Sequence, residues 1–204
     1  PEMPEALGVI DADLFNEAVA QVATAAGKDD SLPSLTGVHV EVNGENITMA
    51  ATDRYRLAVR ELTFSPARPN TEAVALIRAR TLHDAAKTLA TAKNVNIALA
   101  PAASNDRLAG FQSETKSTTT RLLDGTFPPY RHLLPQESLT TTVIEVAPFL
   151  DAVRRVALVT DKTIPLKLTF TGNSVTLEAG GGDEAQANEV FEINKTGEDL
   201  SIAF

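Results

Sequence analysis

The chain contains no cysteine and no tryptophan. Without cysteine there is no disulfide, no thiolate ligand for a metal and no thiol redox centre. That usage fits a cytoplasmic protein. Histidine is nearly as scarce: His39, His83 and His132 are scattered, and none stands in an H-E-x-x-H pattern. There is no G-x-S-x-G elbow, no P-loop and no G-x-G-x-x-G. No run approaches the 18 apolar residues that a membrane-spanning helix needs. The start, Pro1-Glu2-Met3-Pro4-Glu5, lacks the basic and apolar regions of a signal peptide and reads as linker left by cutting a longer chain. An excess of positive charge is also missing. The formal net charge is -9, which by itself argues against a general polyanion binder, because phosphate binding needs lysine and arginine. These absences leave no catalytic constellation, and we expect no catalytic residue, no metal and no cofactor.

What is present is an ordinary globular composition. Hydrophobic residues make up 43% of 204 residues, enough for one or two domains with a real core. Leu14, Phe15, Ala18, Val19, Val22 and Ala23 fall on one face of a helix expected over 11–26. Asp11 and Asp13 stand at its start, where carboxylates cap free amides, and Gly27 ends it. Val38, Val40 and Val42 alternate with polar residues as a half-buried strand. Asn43-Gly44 signals a hairpin, and Ile47 and Met49 lie on the return strand. Leu57 and Val59 mark a third strand, and residues 74–77 a fourth. A second helix is expected over 81–91, with Leu82, Ala85, Ala86 and Leu89 as its stripe, then strands near 95–99, 107–113 and 117–123. Gly180-Gly181-Gly182-Asp183 opens no helix bearing Lys and Ser/Thr, so it reads as a strand connection and not as a phosphate loop.

The second part of the chain repeats the first. Val143-Ile144-Glu145, Phe149, Ala152, Val153, Val156 and Ala157 match Val9-Ile10-Asp11, Phe15, Ala18, Val19, Val22 and Ala23 at a shift of 134 positions. Leu166, Leu168 and Phe170, a Gly172-Asn173 turn, then Val175 and Leu177 repeat the hairpin. The helix near 81–91 reads as a fainter third copy. A repeated module of helix and antiparallel strands points to an α+β architecture built by duplication. It also predicts that Phe15 and Phe149 occupy equivalent buried positions.

Two segments carry more information than the pattern. Ala51-Thr52-Asp53-Arg54-Tyr55-Arg56-Leu57-Ala58 is a charged tight turn running into a strand. Leu122-Leu123-Asp124-Gly125-Thr126-Phe127-Pro128-Pro129-Tyr130-Arg131 follows some seventy residues later. In order and separation they resemble the A-T-D-x-(H/Y/F)-R-L-A and L-(I/L)-D-G-x-F-P-x-Y-R signatures in the middle domain of bacterial sliding clamps, the beta subunit of DNA polymerase III. The resemblance implies the clamp fold, with helices lining a central hole and sheets outside. It places a middle domain at 1–135 and about the first half of a third domain at 136–204, the chain being a fragment. The implied function is a non-catalytic processivity factor. A head-to-tail homodimer encircles double-stranded DNA and tethers the replicative polymerase, the clamp loader and repair proteins. Such a ring needs only a local basic face, so the acidic total is no obstacle.

The resemblance also implies sites. Partners would present a short peptide with a Gln at one end and a Leu/Phe pair at the other. Its pocket would include Leu35, Thr52, Arg54, Tyr55, Arg56, Leu57, Pro128, His132 and Leu133. Arg54 replaces a residue that is often Gly in the family, and His132 one that is often Arg, shorter and only partly charged near neutrality. DNA-facing cations would be Lys28, Arg80, Lys87, Arg154 and Arg155. Read from the residues alone, each of these is equally a solvated helix position, and Asp53 is a turn-capping carboxylate.

Overall fold

The protein was analysed as a computed structural model, which describes residues 3–100, 107–160, 165–180 and 185–204. It divides into two units, Pro1–Pro129 and Tyr130–Phe204. The glycine-rich connection at 180–183 lies, beyond Gly180, outside the described residues.

The first unit holds a strand-helix-strands module twice. The first copy is β1 (Ala6–Asp11), α1 (Ala12–Ala23), β2 (Gly37–Asn43), β3 (Asn46–Thr52), β4 (Leu57–Thr63) and the two-residue β5 (Ser65–Pro66). The second is β6 (Glu72–Arg78), α2 (Ala79–Leu89), β7 (Asn94–Leu99), β8 (Leu108–Gln112) and β9 (Ser117–Arg121). The copies exchange their leading strands. β1 pairs antiparallel with β7 in the sheet β5-β1-β7-β8-β9, and β6 pairs with β2 in the sheet β4-β3-β2-β6. Neither copy can close its sheet without the other, so the unit is one cooperative body.

The helices follow from their stripes. Asp11 caps α1, its Oδ1 accepting the Leu14 amide at 3.0 Å. Phe15, Ala18, Val19 and Val22 are buried on its inner face. Leu82, Ala85, Ala86 and Leu89 do the same for α2, and the two helices pack on each other. Phe15 also meets Phe111 of β8, with ring centroids 5.5 Å apart. Along β2 and β3 every second residue faces inward: Val38, Val40 and Val42, then Ile47, Met49 and Ala51, all 3% exposed or less. Gly44 turns this hairpin at φ +58°, a conformation that favours glycine.

The second unit begins the same module again with β10 (Thr140–Val143), α3 (Val146–Val156), β11 (Lys167–Thr171) and β12 (Ser174–Gly180). β13 (Gln186–Glu192), β14 (Asn194–Gly197) and β15 (Leu200–Ala203) follow. The sheets are β13-β12-β11-β15 and the pair β10-β14. Leu168, Phe170, Val175 and Leu177 occupy the inward positions held by Val40, Val42, Ile47 and Met49 in the first unit. Gly172, at φ +54°, takes the role of Gly44.

Ala152 and Val156 of α3 are buried like Ala18 and Val22. Phe149 departs from the expectation of a residue as buried as Phe15. It is half-buried against the second core, whereas Phe15 is fully enclosed. The physical reason is the neighbour: α1 has α2 beside it, while the main contacts of α3 among the described elements are with β12, β13 and the 3₁₀ turn Ala157–Val159 that follows it.

Candidate binding site around the turn from Thr52 to Leu57

The turn between β3 and β4 is built by its own side chains. Thr52 pairs with Leu57, leaving Asp53, Arg54, Tyr55 and Arg56 as the loop. Asp53 Oδ1 accepts the amides of Tyr55 and Arg56, both at 3.1 Å, and Oδ2 accepts Arg56 Nε at 3.0 Å. Thr52 Oγ1 donates to the Arg56 carbonyl at 2.7 Å and accepts the Arg54 amide at 3.1 Å. Arg54 sits at φ +83°, which explains why glycine suits that position and shows that this loop tolerates arginine there. The network thrusts Tyr55 into solvent, 91% exposed.

Burial pushes the Asp53 carboxyl up, but the Arg56 and Tyr55 amides and the Arg56 guanidinium outweigh it and hold the group below its ordinary pKa. Both carboxylate oxygens are therefore engaged in an ionised turn cap. A proton-transfer role for Asp53 would require breaking the turn.

The second motif is anchored beside the 3₁₀ turn Pro33–Thr36. The Leu123 amide donates to the Leu76 carbonyl at 2.8 Å, and Phe127 stacks on His39 with centroids 5.1 Å apart at 11°. Asp124 pairs with Arg107. Gly125 adopts φ +110°, and a side chain added there would point at Ser34. The motif's Asp-Gly and Phe are thus structural, and they lay the chain against the turn that carries Leu35. Pro128 follows, half-buried.

Of the expected peptide-site residues, Leu35 is buried, Thr52 and Leu57 are half-buried, and Arg54, Tyr55 and Arg56 are exposed, all in the first unit with Pro128. His132 and Leu133 belong to the second unit, on the 3₁₀ turn Arg131–Leu133, and Leu133 is 63% exposed.

An open cleft of about 740 Å³ lies between the end of α1, the start of α2 and this β3–β4 turn. Lys28, Arg56, Arg78 and Arg80 line it, with Asp30 as the one carboxylate. Asp30 lies 2.8 Å from Arg78 Nη1. Lys28 and Arg80 are exposed and have no carboxylate partner among the described residues, and the same holds for Lys87 further along α2. The α3 arginines differ. Arg155 makes a two-pronged bond to Glu189 of β13, at 2.6 and 2.7 Å, and Arg154 leans toward Asp151 at 3.5 Å. The Arg155 hydrogen bonds hold Glu189 below its ordinary pKa.

Residues 9–129 match the family described as DNA polymerase III beta subunit, central domain, and residues 131–204 match that described as DNA polymerase III beta subunit, C-terminal domain. The chain belongs to the DNA polymerase III beta subunit family. It is 48% identical to the beta sliding clamp of Streptomyces coelicolor over 100% of this chain and 54% of that protein. It is 46% identical to that of Micrococcus luteus over 93% of this chain and 60% of that protein. The DNA polymerase sliding clamp of Bacillus subtilis superposes with a TM-score of 0.86 at 25% identity, over 100% of this chain and 55% of that one. The beta-subunit chain thus spans about half the length of the relatives it matches. Its antiparallel sheets and repeated helices are those of the clamp fold.

Sequence reasoning on this beta-subunit chain missed Arg78 and Asp30. Arg78 closes a strand two residues before Arg80, where the pattern gives it no role of its own. Only the fold brings the pair beside Lys28, Asp30 and Arg56.

Proposed function

We propose that this chain is part of a processivity clamp of bacterial DNA replication. The assembled protein closes as a head-to-tail homodimer around duplex DNA in the cytoplasm. It tethers the replicative polymerase, the clamp loader and repair proteins through a short Gln/Leu/Phe peptide, and it catalyses no reaction. The observation that carries the reading is the match of both units, end to end, to consecutive domains of the beta-subunit family. The geometry favours it in two ways. In an acidic chain, Lys28, Arg80 and Lys87, which have no carboxylate partner among the described residues, stand around the helices of the first unit. Bonds from such residues to backbone phosphates are non-specific and suit sliding. Asp53, the carboxylate of the turn motif, has both its oxygens engaged in holding that turn.

The peptide-site residues that the family resemblance implies are Leu35, Thr52, Arg54, Tyr55, Arg56, Leu57, Pro128, His132 and Leu133. Enclosing a Leu and a Phe stabilises a complex by about 3–6 kcal/mol before ordering costs. That leaves room for micromolar affinity when polar interactions at Thr52 and Arg56 add to it. The test is a fluorescent Gln-x-x-Leu-Phe peptide titrated against the full-length protein. Leu57→Ala or Leu133→Ala should weaken binding more than tenfold, while Lys28→Ala leaves it unchanged. Equal affinity in all three variants would show the turn to be only a structural corner.

A further inference from the structure

The turn from Thr52 to Leu57 holds one residue that its backbone does not favour. Among the described residues two besides glycine take a positive φ, Arg54 at +83° and Asn70 at +55°. Asparagine visits this region readily, because its short polar side chain bonds to nearby backbone. Arginine has no such compensation, and glycine would take the same φ without strain. The turn draws on the Arg54 backbone alone, whose amide donates to Thr52 Oγ1 at 3.1 Å. Its architecture therefore does not call for the arginine side chain. Strain kept at a single residue points to a role for what that residue carries.

The Arg54 side chain is exposed and forms no ion pair among the described residues. Arg56, two residues on, gives its Nε to Asp53 at 3.0 Å. Asp29 lies within range of the Arg54 charge, but its carboxylate accepts the Ser31 amide at 2.9 Å and the Ser31 hydroxyl. Between the two arginines Tyr55 stands 91% exposed. The tip of the turn thus presents an available guanidinium beside a bare aromatic ring. A planar guanidinium matches a carboxylate through two parallel hydrogen bonds.

We propose that Arg54 selects among partner peptides, favouring those with aspartate or glutamate just outside the Gln-x-x-Leu-Phe core. The inference rests on the reading that this turn holds such peptides, and it adds a determinant that the core does not contain. Anchors shared by every partner supply affinity without choosing between partners. A charge on the rim discriminates, by attracting acidic flanks and repelling basic ones. The pair stays in solvent, so its effect is modest and falls with salt.

The test is a titration of the full-length protein with three fluorescent peptides. They share one uncharged Gln-x-x-Leu-Phe core and differ only in the residues flanking it, which are aspartates, glutamines or lysines. The aspartate peptide should bind about two- to fivefold tighter than the glutamine peptide, and the lysine peptide weaker than both. The ratio of aspartate to glutamine affinity should fade toward one at high salt. In Arg54→Gly it should fall to near one at low salt as well. Arg54→Lys keeps the charge without the planar fork and should retain part of it. Lys93→Ala, which removes an exposed cation elsewhere in the first unit, should leave the ratio as in the wild type. Arg54→Gly should melt no lower than the wild type, because glycine relieves the left-handed backbone, so its altered ratio is not a loss of fold. A lower melting temperature would remove the premise of strain and overturn the proposal. A wild-type ratio of one, or a ratio that survives Arg54→Gly, would overturn it too and leave the peptide site standing. Binding of none of the three peptides would overturn the peptide reading itself, and this inference with it.

Discussion

Asp53 and Arg56 are joined twice: the carboxylate accepts the arginine's backbone amide at 3.1 Å through one oxygen and its Nε at 3.0 Å through the other. One bond shapes the chain and the other fixes a side chain, so they are separable by substitution. Asp53→Ala removes both and strands the Tyr55 amide as well. It should cost about 1–2 kcal/mol in urea denaturation of the first unit. Asp53→Asn, which retains the amide acceptor, should cost less than half as much. Equal losses would mean that the guanidinium, and not the turn, carries the stability.

The half-burial of Phe149 predicts an asymmetry between equivalent positions. Phe15→Ala opens a cavity in an enclosed core and should destabilise the first unit by roughly 3–5 kcal/mol. Phe149→Ala truncates a side chain that already borders solvent, and should cost on the order of 1–2 kcal/mol. Calorimetric scans resolving the two units check this. A larger loss for Phe149 would show that the second core depends on it more than its exposure indicates.

Stability should fall on acidification. Asp53, Glu189 and Asp199 all have folded pKa values below their ordinary ones: Asp53 through its amides and Arg56 despite burial, Glu189 through Arg155, and Asp199 through Lys195 and the Gly172 amide. A depressed folded pKa means that the unfolded chain binds protons first. The contribution is therefore complete above the ordinary carboxylate range and is lost as pH falls through it toward the folded values. Urea midpoints measured from neutrality down to acid should decline across that window. In Asp53→Asn the decline should be shallower. A midpoint flat through the same range would contradict the assigned hydrogen bonds.

The arginines on α3 should matter less to DNA than the lysine on α2. Arg155 is held by Glu189 in two hydrogen bonds and must leave them to reach a phosphate, while Lys87 has no carboxylate partner among the described residues. For each phosphate deprived of its neutralising cation, the slope of log affinity against log salt should flatten by about 0.9. Lys87→Ala should approach that change, and Arg155→Ala should fall well short of it. Salt-dependent fluorescence anisotropy with a labelled duplex distinguishes them. Equal slopes for both variants would place Arg155 at the DNA as well.

The modules were legible because their signals are local. The stripe of Phe15, Ala18, Val19 and Val22 recurs as Phe149, Ala152, Val153 and Val156. The valines of β2 recur as Leu168 and Phe170, since a strand with one wet face must alternate. The Asn43-Gly44 and Gly172-Asn173 turns stand where left-handed backbone is needed. The Ala51–Ala58 motif could be recognised because Asp53 caps a turn within three residues of itself.

The sequence by itself determined the duplicated α+β modules, their hairpins, the two motifs and the family they mark. Only the tertiary structure decided that β1 and β6 change places between modules, that Phe149 lies less deep than Phe15, and that Arg155 is tied to Glu189 while Lys28 and Arg80, without a carboxylate partner among the described residues, share a cleft with Arg56 and Arg78. Periodicity reports which face of an element is apolar, because neighbouring residues share one backbone. It carries no record of which distant element covers that face, or of which charge from elsewhere in the chain arrives within bonding distance.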